Sequence, residues 1–163
     1  MKPTRIGRWI LLACLFGFGC QNANSQLRLN VMETGAHSGM PAAGASFIVV
    51  SDSQAFAELY NRTHALKMPK PDVPPIDFKN QLVLAAFMGE KSTAGYGISF
   101  DESASSTGDT LLVKVKFQSP PQDAILPQVM TSPYAMATVD RGNLKQIKFI
   151  DTDGNTLAVK KVE

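Results

Sequence analysis

The residue types that most often carry out catalysis are few and scattered in this sequence. Of the two histidines, His37 lies among small residues and His64 lies at the end of a predicted helix. Neither has a plausible serine or cysteine nucleophile beside it, and no glycine–serine nucleophile elbow is present. We therefore expect a protein that is not an enzyme and has no catalytic residue. We expect His64 at the surface, where a partial positive charge near a helix C-terminus is favourable.

The segment Asp151-Thr-Asp-Gly-Asn155 is rich in the oxygen ligands that calcium prefers. An EF-hand loop starting at Asp151 would need Gly at its sixth position and Glu at its twelfth, but those positions hold Thr156 and Val162. The flanking segments also have the patterns of strands rather than helices. A hairpin turn is the favoured interpretation, and neither a metal site nor a cofactor is predicted.

The segment most suited to binding is Gly89-Glu-Lys-Ser-Thr-Ala-Gly-Tyr96, termed here the 89–96 loop. Gly89 and Gly95 can adopt a positive φ without steric cost. Between them the loop carries a charge, two hydroxyl groups and, at its end, an aromatic ring. Loops on a rigid sheet are frequent binding sites. The alternative is a tight turn whose Tyr96 packs into the core, and these residues alone leave both interpretations open.

The elements that must position this loop are mostly strands. Thr110–Phe117 has apolar residues at alternate positions, which is typical of a half-buried strand, and Gln81–Met88 is an unbroken apolar run suited to a strand buried on both faces. Residues 101–109 are small and acidic, so they predict the tip of a hairpin. The predicted strands are 27–31, 46–50, 81–88, 96–100, 110–117, 134–139, 146–150 and 156–162.

One helix is predicted, at about 53–64. Phe56, Leu59 and Tyr60 have the spacing of one apolar helix face, and Asp52 or Ser53 can cap its start. With about eight strands and one helix, the predicted fold class is α+β, with a mostly antiparallel sheet or a partial barrel. No internal repeat is present, so residues 28–163 are expected to form a single β-rich domain.

The start of the chain has the pattern of an export signal. Lys2, Arg5 and Arg8 precede an apolar run of 11 residues from Trp9 to Gly19, which is shorter than the roughly 20 residues of a membrane-spanning helix. Residues 1–19 are therefore predicted to be a signal peptide. Residues 20–27 are predicted to be a lipidated cysteine followed by a polar tether.

Two cysteines compete for the lipid. Cys14 follows a good lipobox-like sequence, but the apolar core before it would be very short and more apolar residues come after it. Cys20 follows an apolar core of normal length and leads into polar residues, so we predict lipidation (palmitate) at Cys20. The predicted location is the cell envelope, and Gln21 slightly favours the outer membrane if one is present. The alternative is plain secretion with an unmodified Cys20.

Removal of residues 1–19 changes the charge of the protein. All 14 acidic residues remain, but three of the 16 Lys and Arg residues leave, so the processed chain carries about −1. No basic patch remains to bind nucleic acid. With Cys20 modified, no free thiol is left for a disulfide or a thiolate metal site.

The 89–96 loop with its preceding strand, and the later segment Thr131-Ser-Pro-Tyr134, together resemble the PrcB C-terminal domain family over about residues 47–139. This family is named after a lipoprotein component of a surface protease complex. Its usual loop is Lys-Pro-Thr-Gly-Gly-Tyr, and this chain has Ser92 and Ala94 in place of Pro and the first Gly. The residues that match the family's two motifs, and that the resemblance marks as candidate binding residues, are Lys91, Thr93, Gly95, Tyr96, Pro133 and Tyr134.

The resemblance implies a non-catalytic envelope lipoprotein that binds a protein partner, an exported protease that it assembles or stabilises. One alternative is a peptidase inhibitor, because Thr93-Ala-Gly-Tyr96 is similar to the Thr-Thr-Gly-Phe loop of chagasin-like inhibitors, although their two other loops have no counterpart here. Further alternatives are a small-ligand-binding protein and a purely structural envelope lipoprotein. The same motif residues can also act only by fixing the fold.

Overall fold

A computed structural model describes residues 25–40 and 42–162 of the chain. The predicted signal peptide (1–19), Cys14 and Cys20 lie outside the described residues. Within them, no helix is long and apolar enough to cross a membrane. The described elements, in chain order, are β1 (Ser25–Arg28), β2 (Asn30–Gly35), β3 (Ser46–Val50), α1 (Ser53–Thr63), β4 (Gln81–Phe87), β5 (Gly97–Phe100), β6 (Ser103–Thr107), β7 (Thr110–Gln118), β8 (Tyr134–Asp140), β9 (Gln146–Ile150) and β10 (Thr156–Lys161).

The larger sheet is built around β7. Its strand order is β1-β6-β7-β9-β10, and β5 pairs with the second half of β7. All its pairs are antiparallel except β7 with β9. Leu111, Val113 and Val115 of β7 are completely buried while Lys114 and Lys116 are exposed, as the alternating sequence predicts.

The smaller sheet has the order β2-β8-β4-β3, and every pair in it is antiparallel. One face packs against the larger sheet, where the Phe47 and Phe149 rings stack 5.0 Å apart. The other face packs against α1. Because β4 lies in the interior of this sheet and is covered on both faces, its side chains from Leu82 to Phe87 are all buried, which explains its unbroken apolar sequence.

Helix α1 begins and packs as its sequence predicts. The Asp52 carboxylate accepts a hydrogen bond of 2.8 Å from the Ala55 amide, which satisfies one of the free N–H groups of the first turn. Phe56, Leu59 and Tyr60 are buried against the smaller sheet. This packing fixes the end of the helix, and with it His64, against the inner side of the fold.

The predicted fold class is confirmed, since the described chain contains ten strands and one helix in two mostly antiparallel sheets that do not close into a barrel. Two details differ. The expected single strand at 27–31 is divided at the buried Leu29, where the chain passes from the larger sheet to the smaller. The expected hairpin tip at 101–109 contains β6, and only its end at Gly108 and Asp109 turns.

Candidate binding surface

The 89–96 loop connects β4 of the smaller sheet to β5 of the larger one. Its two glycines have φ values of +79° at Gly89 and +90° at Gly95, which confirms the conformational freedom expected of them. A Cβ at Gly89 would lie 2.9 Å from the backbone of Gly44, and a Cβ at Gly95 would lie 2.8 Å from Cβ of Pro120. Both positions therefore require glycine for conformation and for space.

The residues between β7 and β8, termed the 119–133 segment, lie alongside this loop. Lys91 and Thr131 exchange two backbone hydrogen bonds of 2.8 Å each. The buried hydroxyl of Thr131 donates to the Thr93 carbonyl at 3.1 Å, and the Ala94 amide donates to the Pro127 carbonyl at 3.3 Å. These bonds join the two motifs found in the sequence. They also give Thr131 a supporting role that its sequence did not reveal.

The side chains of Lys91 and Tyr96 form the polar part of the loop surface. The ammonium nitrogen of Lys91 lies 5.7 Å from the centre of the Tyr96 ring, within the range of a cation–π interaction. Tyr96 is half-buried and also contacts the core between the sheets, while Ser92 is exposed. Among the described residues Lys91 has no carboxylate partner within ion-pair distance. The loop thus shapes the fold and also presents a cation to solvent.

The 119–133 segment, which is bonded to the loop, exposes apolar side chains. Leu126 lies close beneath Gly95, which fixes the segment on the loop. Ile125 is fully exposed, Val129 is 43% exposed and Met130 is 59% exposed. Apolar side chains that cluster on a surface often mark a site of interaction, so this segment is a candidate for one.

Pro133 and Tyr134 occupy a different environment from the loop residues. Pro133 is buried, and its carbonyl accepts a hydrogen bond of 2.8 Å from the Met88 amide at the end of β4. Tyr134 is 1% exposed, begins β8, and pairs with Gly35 of β2. Of the six predicted residues, the structure therefore groups Lys91, Thr93, Gly95 and Tyr96 in one loop and places the other two in the interior beside it.

Both sequence motifs lie in one stretch from β4 to β8. Residues 82–140 match the family model described as PrcB C-terminal. The resemblance predicted from the two motifs is thereby confirmed, over a stretch that begins at β4 rather than β3. No curated protein and no solved structure matches the chain.

Tyr134 lies within the stretch that matches the PrcB C-terminal model, and its side chain contacts His64, which lies outside that stretch. The expected surface position of His64 is wrong, because this side chain is 1% exposed. Its Nδ1 lies 2.8 Å from the Tyr60 carbonyl, and its Nε2 lies 3.0 Å from the Glu33 carboxylate and 3.2 Å from the Tyr134 hydroxyl. The apolar face of α1 extends to the end of the helix, so its last turn packs in the core. The three partners lie within hydrogen-bond distance of the two nitrogens of the buried His64 ring.

Lys67 completes this group, which is termed the Tyr134 cluster and consists of Glu33, His64, Lys67 and Tyr134. Its ammonium donates to the Tyr134 hydroxyl at 3.2 Å. Burial lowers the pKa of Lys67, but the hydrogen bond to Tyr134 and the nearby Glu33 carboxylate outweigh it, so the pKa is raised. Burial, with Glu33 second, also raises the pKa of Tyr60.

Two further features bear on chemistry. Within 25–40 and 42–162, no three His, Cys, Asp or Glu side chains come together in a way that could hold a metal ion. The Asp151–Asn155 segment forms the β9–β10 turn, where the Asp151 carboxylate accepts hydrogen bonds from the Asp153 and Asn155 amides. These internal bonds confirm the hairpin interpretation of the acidic sequence.

Proposed function

We propose that this protein is a non-catalytic lipoprotein of the bacterial cell envelope whose β-rich domain binds a protein partner. The partner is an exported protease, which the domain assembles or stabilises. The binding surface consists of the 89–96 loop and the 119–133 segment. The match of residues 82–140 to the PrcB C-terminal family supports a role as a subunit associated with a protease complex.

The observation that carries the proposal is the pairing of a polar loop with an exposed apolar segment. Lys91 and Thr131 are bonded through their backbones, so the segment that exposes apolar side chains at 125, 129 and 130 lies beside the loop that carries the cation near Tyr96. Binding sites between proteins commonly have an apolar centre with a polar rim. Burial of each exposed apolar side chain contributes roughly 25 cal/mol per Å².

The backbone of this surface is held in place before any partner binds. Gly89 and Gly95 permit the positive φ angles of the loop. The backbone bonds between Lys91 and Thr131 and the buried hydroxyl of Thr131 hold the loop and the segment together. A surface with a fixed backbone loses little conformational entropy on association, which favours affinity. These features suit a docking subunit.

The experiment is capture of the partner from chemically crosslinked envelopes of the producing cell. Wild-type protein should recover a specific exported protease. The variants Ile125→Asp and Val129→Asp each introduce a charge into the apolar part of the surface. They should reduce that recovery at least tenfold, since an unpaired charge buried in an interface is costly.

Val159→Asp is the matched control. The exposed fraction of Val159 is 48%, which is similar to that of Val129. Val159 lies on β10, at the edge of the larger sheet and two strands away from β7. This variant should recover the partner as the wild type does. Recovery of only abundant porin-like proteins, or equal recovery by all four proteins, would contradict the proposal. Inhibition of papain-like or subtilisin-like peptidases by the purified protein would identify an inhibitor instead.

A further inference from the structure

A pocket of about 390 Å³ lies beside the Tyr134 cluster, and none of its lining residues belongs to the 89–96 loop or the 119–133 segment. It is lined by Gly35, Ala36, His37, Leu66, Lys67 and Tyr134. Leu66 is 69% exposed and His37 is also exposed, so the mouth of the pocket combines an apolar wall with an imidazole. Tyr134 reaches the pocket although almost all of its side chain is buried.

The hydrogen bonds of His64 determine what the Tyr134 hydroxyl can do. Because the Tyr60 carbonyl can only accept, the Nδ1 of His64 carries a hydrogen. Its Nε2 lies 3.0 Å from the Glu33 carboxylate, and two lone pairs would face each other there unless a proton lay between them. That proton belongs either to His64, which then donates to Glu33, or to Glu33, which then occupies the one lone pair of Nε2.

In both cases Nε2 has no lone pair left for the Tyr134 hydroxyl. Lys67 donates to the same hydroxyl oxygen, so this contact does not use the hydroxyl hydrogen either. Within the described chain, Tyr134 makes no other side-chain hydrogen bond. The hydroxyl hydrogen is therefore available to an acceptor in the pocket, and Lys67 can direct its other N–H groups to the same place.

Gly35 leaves the space that the Tyr134 ring occupies beside the pocket. A Cβ at position 35 would lie 2.8 Å from Cζ and 2.9 Å from the hydroxyl oxygen of Tyr134, so a side chain there would displace the ring and with it the hydroxyl. Two donors, one of them a cation, thus belong to residues that line a pocket with an apolar wall. An ammonium and a hydroxyl that donate to one point are complementary to a carboxylate.

The neighbouring strand edge indicates the kind of carboxylate. In the described residues β2 is an edge strand that pairs only with β8, and its last residue, Gly35, lines the pocket. An extended peptide can add to such an edge through main-chain hydrogen bonds. We propose that this pocket binds the C-terminal residue of a peptide, with the carboxylate at Tyr134 and Lys67 and an apolar side chain against Leu66.

The experiment is a titration of the isotope-labelled full chain, in detergent, followed by NMR. The probe is acetyl-Ala-Ala-Leu with a free carboxylate, and its C-terminal amide is the matched control ligand. The acid should shift the amide resonances of residues 35–37, 66 and 67. The amide should bind at least about tenfold more weakly, because it loses the hydrogen bonds to a charged group.

Substitutions at Tyr134 and Lys67 test whether these two donors bind the carboxylate of the peptide. Tyr134→Phe removes only the hydroxyl and should weaken binding of the acid about tenfold, and Lys67→Gln should do the same. Lys70→Gln changes a nearby exposed lysine outside the pocket lining and should leave the affinity unchanged. Because the Lys67 side chain is largely outside the core, its variant keeps the test decisive even if Tyr134→Phe folds poorly.

Three results would overturn this proposal. The acid and the amide could bind equally, the shifts could lie elsewhere, or neither ligand could bind. A fourth is stronger binding by octanoate than by the peptide acid, which would assign the pocket to fatty acids. None of these results depends on partner capture with the Ile125 and Val129 variants, so the two proposals can fail separately.

Discussion

At the scale of single residues, the position of the Tyr134 ring determines that residue 35 must be glycine. They are paired across β2 and β8, and the Tyr134 ring occupies the space that a side chain at position 35 would need. We expect Gly35→Ala to lower the free energy of unfolding by about 1–3 kcal/mol, because overpacking forces the ring or the strand to shift. Urea denaturation measures this change.

Gly44→Ala is the control for that substitution. A Cβ at Gly44 has no neighbour within 4 Å, and its φ lies outside the left-handed region. Its effect should stay within about 0.5 kcal/mol, as for most surface substitutions. Equal stability of the two variants would show that Tyr134 can move aside at little cost, which would weaken the role assigned to Gly35.

Asp101 is the residue whose ionisation should affect stability at low pH. A hydrogen bond from Lys116, followed by hydrogen bonds from Ser103, lowers its pKa from 3.8 to about 2. A carboxylate with a lowered pKa stabilises the folded state above its unfolded pKa, and this contribution disappears as the pH falls from about 4 towards 2. We expect Asp101→Asn to be less stable than the wild type at pH 7 and nearly equal to it at pH 2.

The measurement is the urea midpoint of both proteins between pH 7 and pH 2. Asp123→Asn is the control, because Asp123 is exposed and has no ion pair in the described part of the chain. Its midpoint should follow the wild type across the range. A constant difference between Asp101→Asn and the wild type would contradict the linkage.

The residue scale is also where sequence reasoning was least successful. Lys91, Thr93, Gly95 and Tyr96 are close in sequence, so their grouping in one loop could be predicted. His64 could not be interpreted correctly, because its partners Glu33 and Tyr134 lie 31 and 70 residues away in sequence. A helix-end histidine looks the same in sequence whether the last turn faces solvent or the core.

At the scale of elements, the 89–96 loop depends on the 119–133 segment. The buried hydroxyl of Thr131 in the segment donates a hydrogen bond to the Thr93 carbonyl of the loop. We expect Thr131→Val, which keeps the shape and removes the hydroxyl, to cost about 1 kcal/mol of unfolding free energy. It should also speed hydrogen exchange of the Ala94 amide, whose acceptor is the Pro127 carbonyl of the same segment.

Thr152→Val provides the matched control, since Thr152 is exposed in the β9–β10 turn and makes no side-chain hydrogen bond in the structure described here. Exchange at Ala94 should be unchanged in this protein. If Thr131→Val left both stability and exchange unchanged, the loop would be held by its backbone bonds alone. The proposed surface would then need no contribution from the second motif.

The elements with strong local patterns could be predicted. Strands β4 and β7 and helix α1 each have an apolar periodicity that matches how the fold covers them. The passage at Leu29 and strand β6 could not be predicted. The chain passes from one sheet to the other at Leu29 because the strands before and after it pair with different strands that are distant in sequence. Strand β6, Ser103-Ala-Ser-Ser-Thr107, buries only small side chains, so its sequence shows little contrast between its two faces.

At the scale of the whole molecule, the predicted anchor and the folded domain are close together in the chain. If Cys20 carries the lipid, only residues 21–24 separate it from the start of β1 at Ser25. Since an extended chain spans at most about 3.6 Å per residue, β1 would begin within about 18 Å of the membrane surface. A partner bound by this domain would then also be held near the membrane.

The lipid on Cys20 can be tested by intact mass and fractionation of the native protein. We expect wild-type protein in the membrane fraction with the added mass of acyl chains, and Cys20→Ser without that mass in the soluble fraction. The physical reason is that two or more acyl chains anchor a protein stably, whereas a polar processed chain does not partition into lipid. Cys14→Ser is the matched control and should behave as the wild type. If Cys14→Ser instead removed the lipid, the signal would end earlier than residue 19; an unlipidated soluble wild type would mean that the domain acts as a diffusible binder.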